Sequence, residues 1–306
     1  MSKYDDNKSL FLAPKMTQYD GHMVMTNVVK PTKTKYVNVD TSFRDEFSEY
    51  DSKSVANCNV TLPERITEVK SIQVRNLELP MSMYNISEAI GNHCFKIEKD
   101  ATSQMVIIPD GQYTIQSLSA SINGALQALP SPFNQTSYSF TSGLKSAFDP
   151  SNTSIVLNFA VSPTGAFDAY NLKKKLGWVL GFRSANYNVV STKTVSEGMV
   201  DLSGFRYLYL VLDEFTKGNQ NSFIAALPSS LVRKQILARI SINTNVYPFG
   251  TILPANNYNG YLLTDQRKYS GRVDLQKLNI QLVDDVGKPV SLNGLDYSFC
   301  LEVEHE

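Results

Sequence analysis

The sequence is poor in the residue types that usually build chemistry. Its 306 residues include three cysteines, three histidines and one tryptophan. Cys58, Cys94 and Cys300 are widely spaced and form no CxxC pair, which argues against a disulfide framework and points to folding in a reducing compartment. His22, His93 and His305 lie far apart, and no HExxH, GxSxG or GxxxxGK[ST] pattern occurs. No charge excess exists, because 29 basic residues balance 29 acidic ones. A globally basic nucleic-acid binder is therefore excluded. No run of 18 apolar residues predicts a transmembrane helix. The opening MSKYDDNKSL lacks the apolar stretch of a signal peptide, so none is expected.

What is present is hydrophobic, aromatic and neutral-polar. Hydrophobic residues make up 42% of the chain and charged residues 19%, so a wholly disordered chain is excluded. Sixteen tyrosines and fifteen phenylalanines suit either an ordinary β core or a protein that buries much surface against neighbours. Residues 1–34 show no sustained period and read as an extended arm. Tyr4, Leu10, Phe11, Met16, Tyr19, Met23 and Met25 punctuate it. Two readings stay open: a solvated tail, or an arm whose large apolar side chains are partner contacts.

From residue 35 the pattern becomes that of strands. Lys35–Asp40 alternates, as does Val69–Val74. The second register slips at Arg75-Asn76 before Leu77-Glu78-Leu79, as one extra residue in a bulged strand would produce, and Pro80 ends it. Phe95–Glu98, Met105–Ile108, Ser154–Phe159, Ile236–Ile242, Leu278–Leu282, Val290–Leu292 and Tyr297–Glu304 are further strand candidates. Tyr207–Leu212 has no polar position and is expected to be a central strand buried on both faces. Two helices interrupt the strands. Thr114 is placed to cap the first, with Ile115, Leu118, Ile122, Leu126 and Leu129 on one face and Pro130 closing it. The second is expected over Leu172–Leu180, capped by Asn171 and ended at Gly181.

Many short strands with Gly/Pro turns predict an all-β jelly-roll β-sandwich with two short inserted helices and an extended N-terminal arm. The long excursions 41–68 and 243–271 favour a jelly-roll or Greek-key connection over a meander. Residues 35–306 form the sandwich, and a division into two sub-lobes near 165–200 is compatible with the pattern.

Catalytic readings are thin. His93-Cys94 invites a metal or a nucleophile, but no further His/Cys cluster supports it. Asp40 and Asp45 beside Arg44 read as a structural hydrogen-bond clamp. Asp284-Asp285 with Gly287 reads as a hairpin turn, without the ligand spacing of a calcium loop. Lys173-Lys174-Lys175, with Trp178, Phe182 and Arg183, is either a contact for single-stranded nucleic acid or a solvated helix face with its aromatics packed inward. No catalytic residue, metal ligand or cofactor is assigned, and an enzyme is not expected.

Six stretches, taken in order, carry a family resemblance. Lys35–Asp45 (KYVNVDTSFRD) resembles the (Y)(V/I)N(V/I)DS-x-(F/Y)RD opening of minor capsid and penton-type jelly-roll proteins of nucleocytoplasmic large DNA viruses, the giant viruses. SIQVRNLELP, ending at Pro80, resembles the strand that follows there. Ile108–Thr114 (IPDGQYT) is similar to their IPDGNYT, with Gln112 where asparagine is expected. Leu176–Arg183 (LGWVLGFR) is similar to their LGWxLGFR, and Tyr207–Phe215 to their YLYLxxDDF. Gly271–Leu278 through Asp296–Glu302 is similar to their closing VDLQKL and DYSFxLE segments. The likeness covers about 35–304 and leaves the arm out.

The resemblance implies a structural protein of the virion capsid, assembled in the host cytoplasm. Its expected partners are the major capsid protein, other minor capsid proteins and further copies of itself, a pentamer if it stands at a vertex. It implies no specific nucleic acid. The alternative is a jelly-roll module on the virion surface that binds a host receptor or carbohydrate.

Overall fold

The computed structural model describes residues 31–45, 55–151, 153–168, 172–190, 192–215 and 235–306, with the backbone of 15–16 and 23–24. In chain order the first strands are β1 (Lys15–Met16), β2 (Met23–Val24), β3 (Lys33–Asp40), β4 (Asn57–Pro80), β5 (Cys94–Lys99) and β6 (Thr102–Ile107). Helix α1 (Ile115–Gln127) precedes β7 (Ser137–Phe140), β8 (Ser146–Asp149) and β9 (Ser154–Asn158). Helix α2 (Leu176–Val179) precedes β10 (Asn186–Val190), β11 (Thr194–Val195), β12 (Tyr207–Asp213) and β13 (Ile236–Ser241). The last strands are β14 (Ile252–Asn256), β15 (Leu262–Thr264), β16 (Arg267–Val283) and β17 (Ser298–His305).

The fold is all-β and sandwich-like. One eight-stranded antiparallel sheet runs β15-β13-β12-β16-β4-β17-β3, with β14 added to β4. Its curl comes from β4, a 24-residue strand with irregular pairing to β16. Leu62 to Arg65 stand opposite Gln276 alone, because Thr61 pairs with Lys277 and Ile66 with Leu275. Such bulges bend a strand and strengthen its twist. They let β4 bury Cys58, Val60 and Leu62 at one end and Leu77 and Leu79 at the other. The expected bulge at Arg75 is present: Cys300 pairs with Asn76 and Leu301 with Val74, so Arg75 is the extra residue. The enclosed core joins residues of β4 to Leu208, Leu210 and Leu212 of β12, Ile280 and Leu282 of β16, and Phe299 and Leu301 of β17.

Residues between β4 and β12 build a second core. A four-stranded sheet, β10-β9-β5-β6, and a three-stranded sheet, β11-β8-β7, enclose it with the two α-helices. Its centre is aromatic: Phe159 lies 5.6 Å from Phe95 and 5.1 Å from Phe182, and Phe148 lies 4.8 Å from Tyr138. The buried residues of this second cluster run from Ile86 to Val189. Helix α1 follows its sequence pattern. Thr114 and Ser117 form a reciprocal capping box, and Leu118, Ile122 and Leu126 are buried.

Four expectations need correction. The strand expected from Lys35 starts at Lys33. The helix expected over Leu172–Leu180 is broken into a 3-10 turn, Leu172–Lys174, and α2. Lys175 occupies the break as the cap position of α2, because its side chain turns inward. Its Nζ donates to Asp168 Oδ2 at 2.5 Å and to the Val161 carbonyl at 3.2 Å. Asn171 lies outside the described residues. Strand β12 is central, but it buries one face only: Leu208, Leu210 and Leu212 point inward while Tyr207, Tyr209 and Val211 are half-buried. Val290–Leu292 forms no strand, only a single bridge from Pro289 to Val283.

Candidate functional site

The stretches singled out in the sequence act as joints between elements. Strands β3 and β17 pair over their full lengths, and the turn after β3 is tied to the segment before β17. Thr41 Oγ1 donates to Asp296 Oδ1 at 2.8 Å and accepts from the Tyr297 amide at 3.0 Å. Arg44 Nη1 donates to the Thr41 carbonyl at 2.8 Å and to Asp296 Oδ1 at 3.0 Å. Asp40 caps its own turn through the Ser42 amide at 2.9 Å. Asp45 takes the amide and hydroxyl of Thr61 at 2.8 and 2.6 Å. Asp40 and Asp45 act as structural hydrogen-bond acceptors for backbone and hydroxyl donors, as expected, while the ion pair of Arg44 goes to Asp296.

The IPDGQYT stretch is a second joint. Asp110 accepts from the Ser87 hydroxyl at 3.0 Å and the Glu88 amide at 2.8 Å. Gln112 Oε1 takes the Asn85 amide at 3.1 Å, and Asn85 Oδ1 takes the Tyr113 amide at 2.8 Å. In YLYLVLDEF the joint is buried. Glu214 accepts from Arg267 Nη1 at 2.8 Å and from the Tyr269 hydroxyl at 2.9 Å. Burial, then the Glu214 charge, pushes the Tyr269 phenol far up, so this network holds a neutral phenol.

LGWVLGFR owes its two glycines to close approach. A Cβ on Gly177 would stand 2.3 Å from Phe159 Cγ. Gly181 has φ +94°, and a Cβ there would stand 2.2 Å from the Gly198 carbonyl oxygen. Phe182 is buried, but Trp178 stays half-buried at the surface. The Arg183 guanidinium lies 4.5 Å and the Lys173 ammonium 5.9 Å from its ring centroid.

The lysine triplet is mostly committed to the protein itself. Lys175 is buried on Asp168. Lys174 pairs with Asp285 and lies 3.6 Å from Asp284, tying the second lobe to the β16 turn. Asp284 forms that turn by accepting from the amides of Val286 and Lys288 at 3.0 and 2.8 Å. Burial raises its carboxyl, and Lys174 partly offsets the rise. Only Lys173 of the triplet has no carboxylate partner among the described residues, too little cation to track a phosphate backbone.

Beside this latch lies a cleft of about 400 Å³ between the two cores. Trp178 and Lys173, Phe205, Arg206 and Tyr207, and Asn85 are among the residues that line it. Arg206 is paired with Asp201 at 2.9 Å. Large apolar side chains are exposed on both lobes, with Phe167 of the second lobe at 71%. Phe43 is 80% exposed, and Tyr36 and Tyr258 are 67% and 97% exposed.

Reactive groups are not gathered. His93 and Cys94 are both buried, and burial raises the Cys94 thiol. Cys58 is pushed up to about 11 by burial, and Cys300 is raised for the same reason. All three cysteines are free thiols, and at raised pKa a thiol is a poor nucleophile. No group of three or more His, Cys, Asp or Glu among the described residues could hold a metal ion. No helix there is long and apolar enough to cross a membrane. Of the seven arm residues, Met16 and Met23 are backbone register partners in the β1–β2 pair. Tyr4, Leu10, Phe11, Tyr19 and Met25 lie outside the described residues.

No curated protein matches the sequence. Among solved structures, the mavirus penton protein superposes with a TM-score of 0.44 at 9% identity, over 90% of this chain and all of that one. Those values are too low to argue from. A family model, described as a family of unknown function, DUF5901, matches residues 24–258. That span is most of the 306 residues, and the chain belongs to the DUF5901 family.

Proposed function

We propose that the chain is a structural component of the capsid of a large icosahedral DNA virus. It bridges or supports capsomers of the major capsid protein, or forms the vertex. The observation that carries this reading is the ordered set of six stretches resembling giant-virus minor capsid and penton-type proteins. The roles of those stretches support it. Their residues lock strand to strand, as at Thr41–Asp296 and Glu214–Arg267. The mechanism is mechanical: a stiff sandwich presents exposed aromatic side chains, Tyr36, Phe43 and Tyr258 among them, to neighbouring subunits. In this reading Tyr4, Leu10, Phe11, Met16, Tyr19, Met23 and Met25 of the arm are partner contacts.

The test is fractionation of virions after removal of the genome. The chain is expected to sediment with the shells, and its release into the soluble fraction would overturn the proposal. Deleting residues 1–32 isolates the arm, because Lys33 and Thr34 pair with His305 and Glu304 and belong to the sheet. The shortened chain is expected to keep its unfolding midpoint and to incorporate less well into shells. Unfolding of the shortened chain would instead assign the arm to the fold.

A further inference from the structure

We propose that the cleft between the two cores is a docking site for a protein segment carrying one carboxylate beside an aromatic side chain. The inference rests on the capsid reading for where such a segment comes from: a neighbouring protein in the shell. Its physical basis is separate. At about 400 Å³ the cleft falls within the ~300–1,000 Å³ of ligand-sized pockets, and it lies between two lobes, where such sites concentrate. Trp178, Phe205 and Tyr207 give it aromatic walls. Asn85 in its lining is held at both ends of its amide, by the Tyr113 amide and by the carbonyls of Tyr113 and Leu202, so this part of the lining is preorganised.

Charge accounting selects the ligand. Three cations line the cleft. Lys174 is neutralised by Asp284 and Asp285, and Arg206 by Asp201. Lys173 has no carboxylate partner among the described residues and sits over the Trp178 ring. One uncommitted ammonium beside three aromatic rings matches a single carboxylate with an adjacent ring. Asp201 and Asp285 line the same cleft but are paired with Arg206 and Lys174, so the lining holds one excess positive charge, which matches one anion and disfavours a polyphosphate strand.

Trp178 is the only tryptophan in the sequence, so its emission reports on this wall alone. The probe is a capped Gly-Glu-Phe-Gly peptide titrated into the full chain, with Gly-Gln-Phe-Gly, Gly-Lys-Phe-Gly and an oligothymidylate as comparisons. A saturable change is expected with the Glu peptide. Affinity is expected to fall about tenfold, or 1.4 kcal/mol, for the Gln peptide and again for the Lys173→Met chain. Lys173→Met must keep the wild-type unfolding midpoint, and Trp178→Phe, followed by chemical-shift changes of the peptide, checks that the ring itself contributes. Equal binding of the Gln or Lys peptide, no saturable response to any peptide, or tighter binding of the oligothymidylate would each overturn the proposal. A negative result leaves sedimentation with shells untouched. Loss of that sedimentation with peptide binding intact would remove the capsid reading and leave the site.

Discussion

One substitution, made in two helices, separates packing from propensity. In α1, Gly124 is exposed and a Cβ there meets nothing within 4 Å. Gly124→Ala should stabilise the protein by about 0.5–1 kcal/mol, the difference in helix propensity. In α2, the Cβ of Gly177→Ala would come to 2.3 Å from Phe159 Cγ and 2.7 Å from its Cβ. Carbon atoms prefer ~3.5–4.0 Å, so one partner must retreat by more than ~1 Å. Phe159 cannot, because it is fully buried against Phe95, Phe182 and Tyr187. Overpacking of this kind costs about 1–3 kcal/mol or somewhat more, and propensity returns at most ~1. The expected net loss is about 2 kcal/mol. Urea unfolding followed by circular dichroism and by Trp178 emission measures both changes at unchanged m-value. A Gly177→Ala loss below about 0.5 kcal/mol would refute the packing argument, and a destabilising Gly124→Ala would refute the propensity argument.

Three further outcomes are expected. Tyr297 is buried and its hydroxyl has no partner among the described residues; Tyr297→Phe should therefore raise stability by about 1 kcal/mol. A loss of that size in the same urea experiment would reveal a buried water on the hydroxyl. Asp168→Asn leaves Lys175 charged and buried without its carboxylate. It should cost about 2–3 kcal/mol, less than a fully enclosed pair because Asp168 keeps partial contact with water, and no loss of midpoint would show that water reaches Lys175. The Arg75 hydrogen bond holds Glu302 below its ordinary 4.5. A depressed carboxylate contributes stability that is complete above its unfolded value and is lost as pH falls through the folded one. Stability measured from pH 5 downward should therefore fall less steeply in Arg75→Ala than in wild type. The gap should be at most about 1 kcal/mol for this partly exposed pair, and parallel curves would argue against the ion pair.

Where local pattern and tertiary demand agree, the sequence was readable. Thr114 with its apolar face announced α1, and the parity change at Arg75 announced a bulge; Arg44 lies between two aspartates in the sequence, but its ion pair is with the distant Asp296. Readings failed where one residue answers to a distant partner. Residues 57–68 were read as part of the excursion 41–68, and Pro63, Glu64 and Arg65 do interrupt the strand pattern there. In the structure those residues sit in the bulge opposite Gln276, where proline removes no ladder hydrogen bond. Lys175 looked like one of three solvated lysines, and the carboxylate that draws it inward is supplied by the loop before it. Tyr207, Tyr209 and Val211 promised a doubly buried strand, but tyrosine is equally suited to a half-covered face. The cleft had no sequence signature, because its walls come from residues as far apart as Asn85 and Asp285. Trp178 beside Lys173 was the one local clue.

The pairing of β3 with β17 sets an order of events during synthesis. Residues 86–202 have every partner of their own cluster as soon as they leave the ribosome. The curled sheet does not, because Thr41 must find Asp296, 255 positions later. At about 5–20 residues per second, β4 and β3 wait on the order of 10–50 s for β17 with pairing edges open. Unpaired edges of that length are templates for the wrong partner. A nascent chain stalled before residue 298 should therefore carry a protease-resistant second lobe on a protease-sensitive β4. In a cell making many copies at once, it is this interval, rather than the stability of the finished fold, that calls for a chaperone.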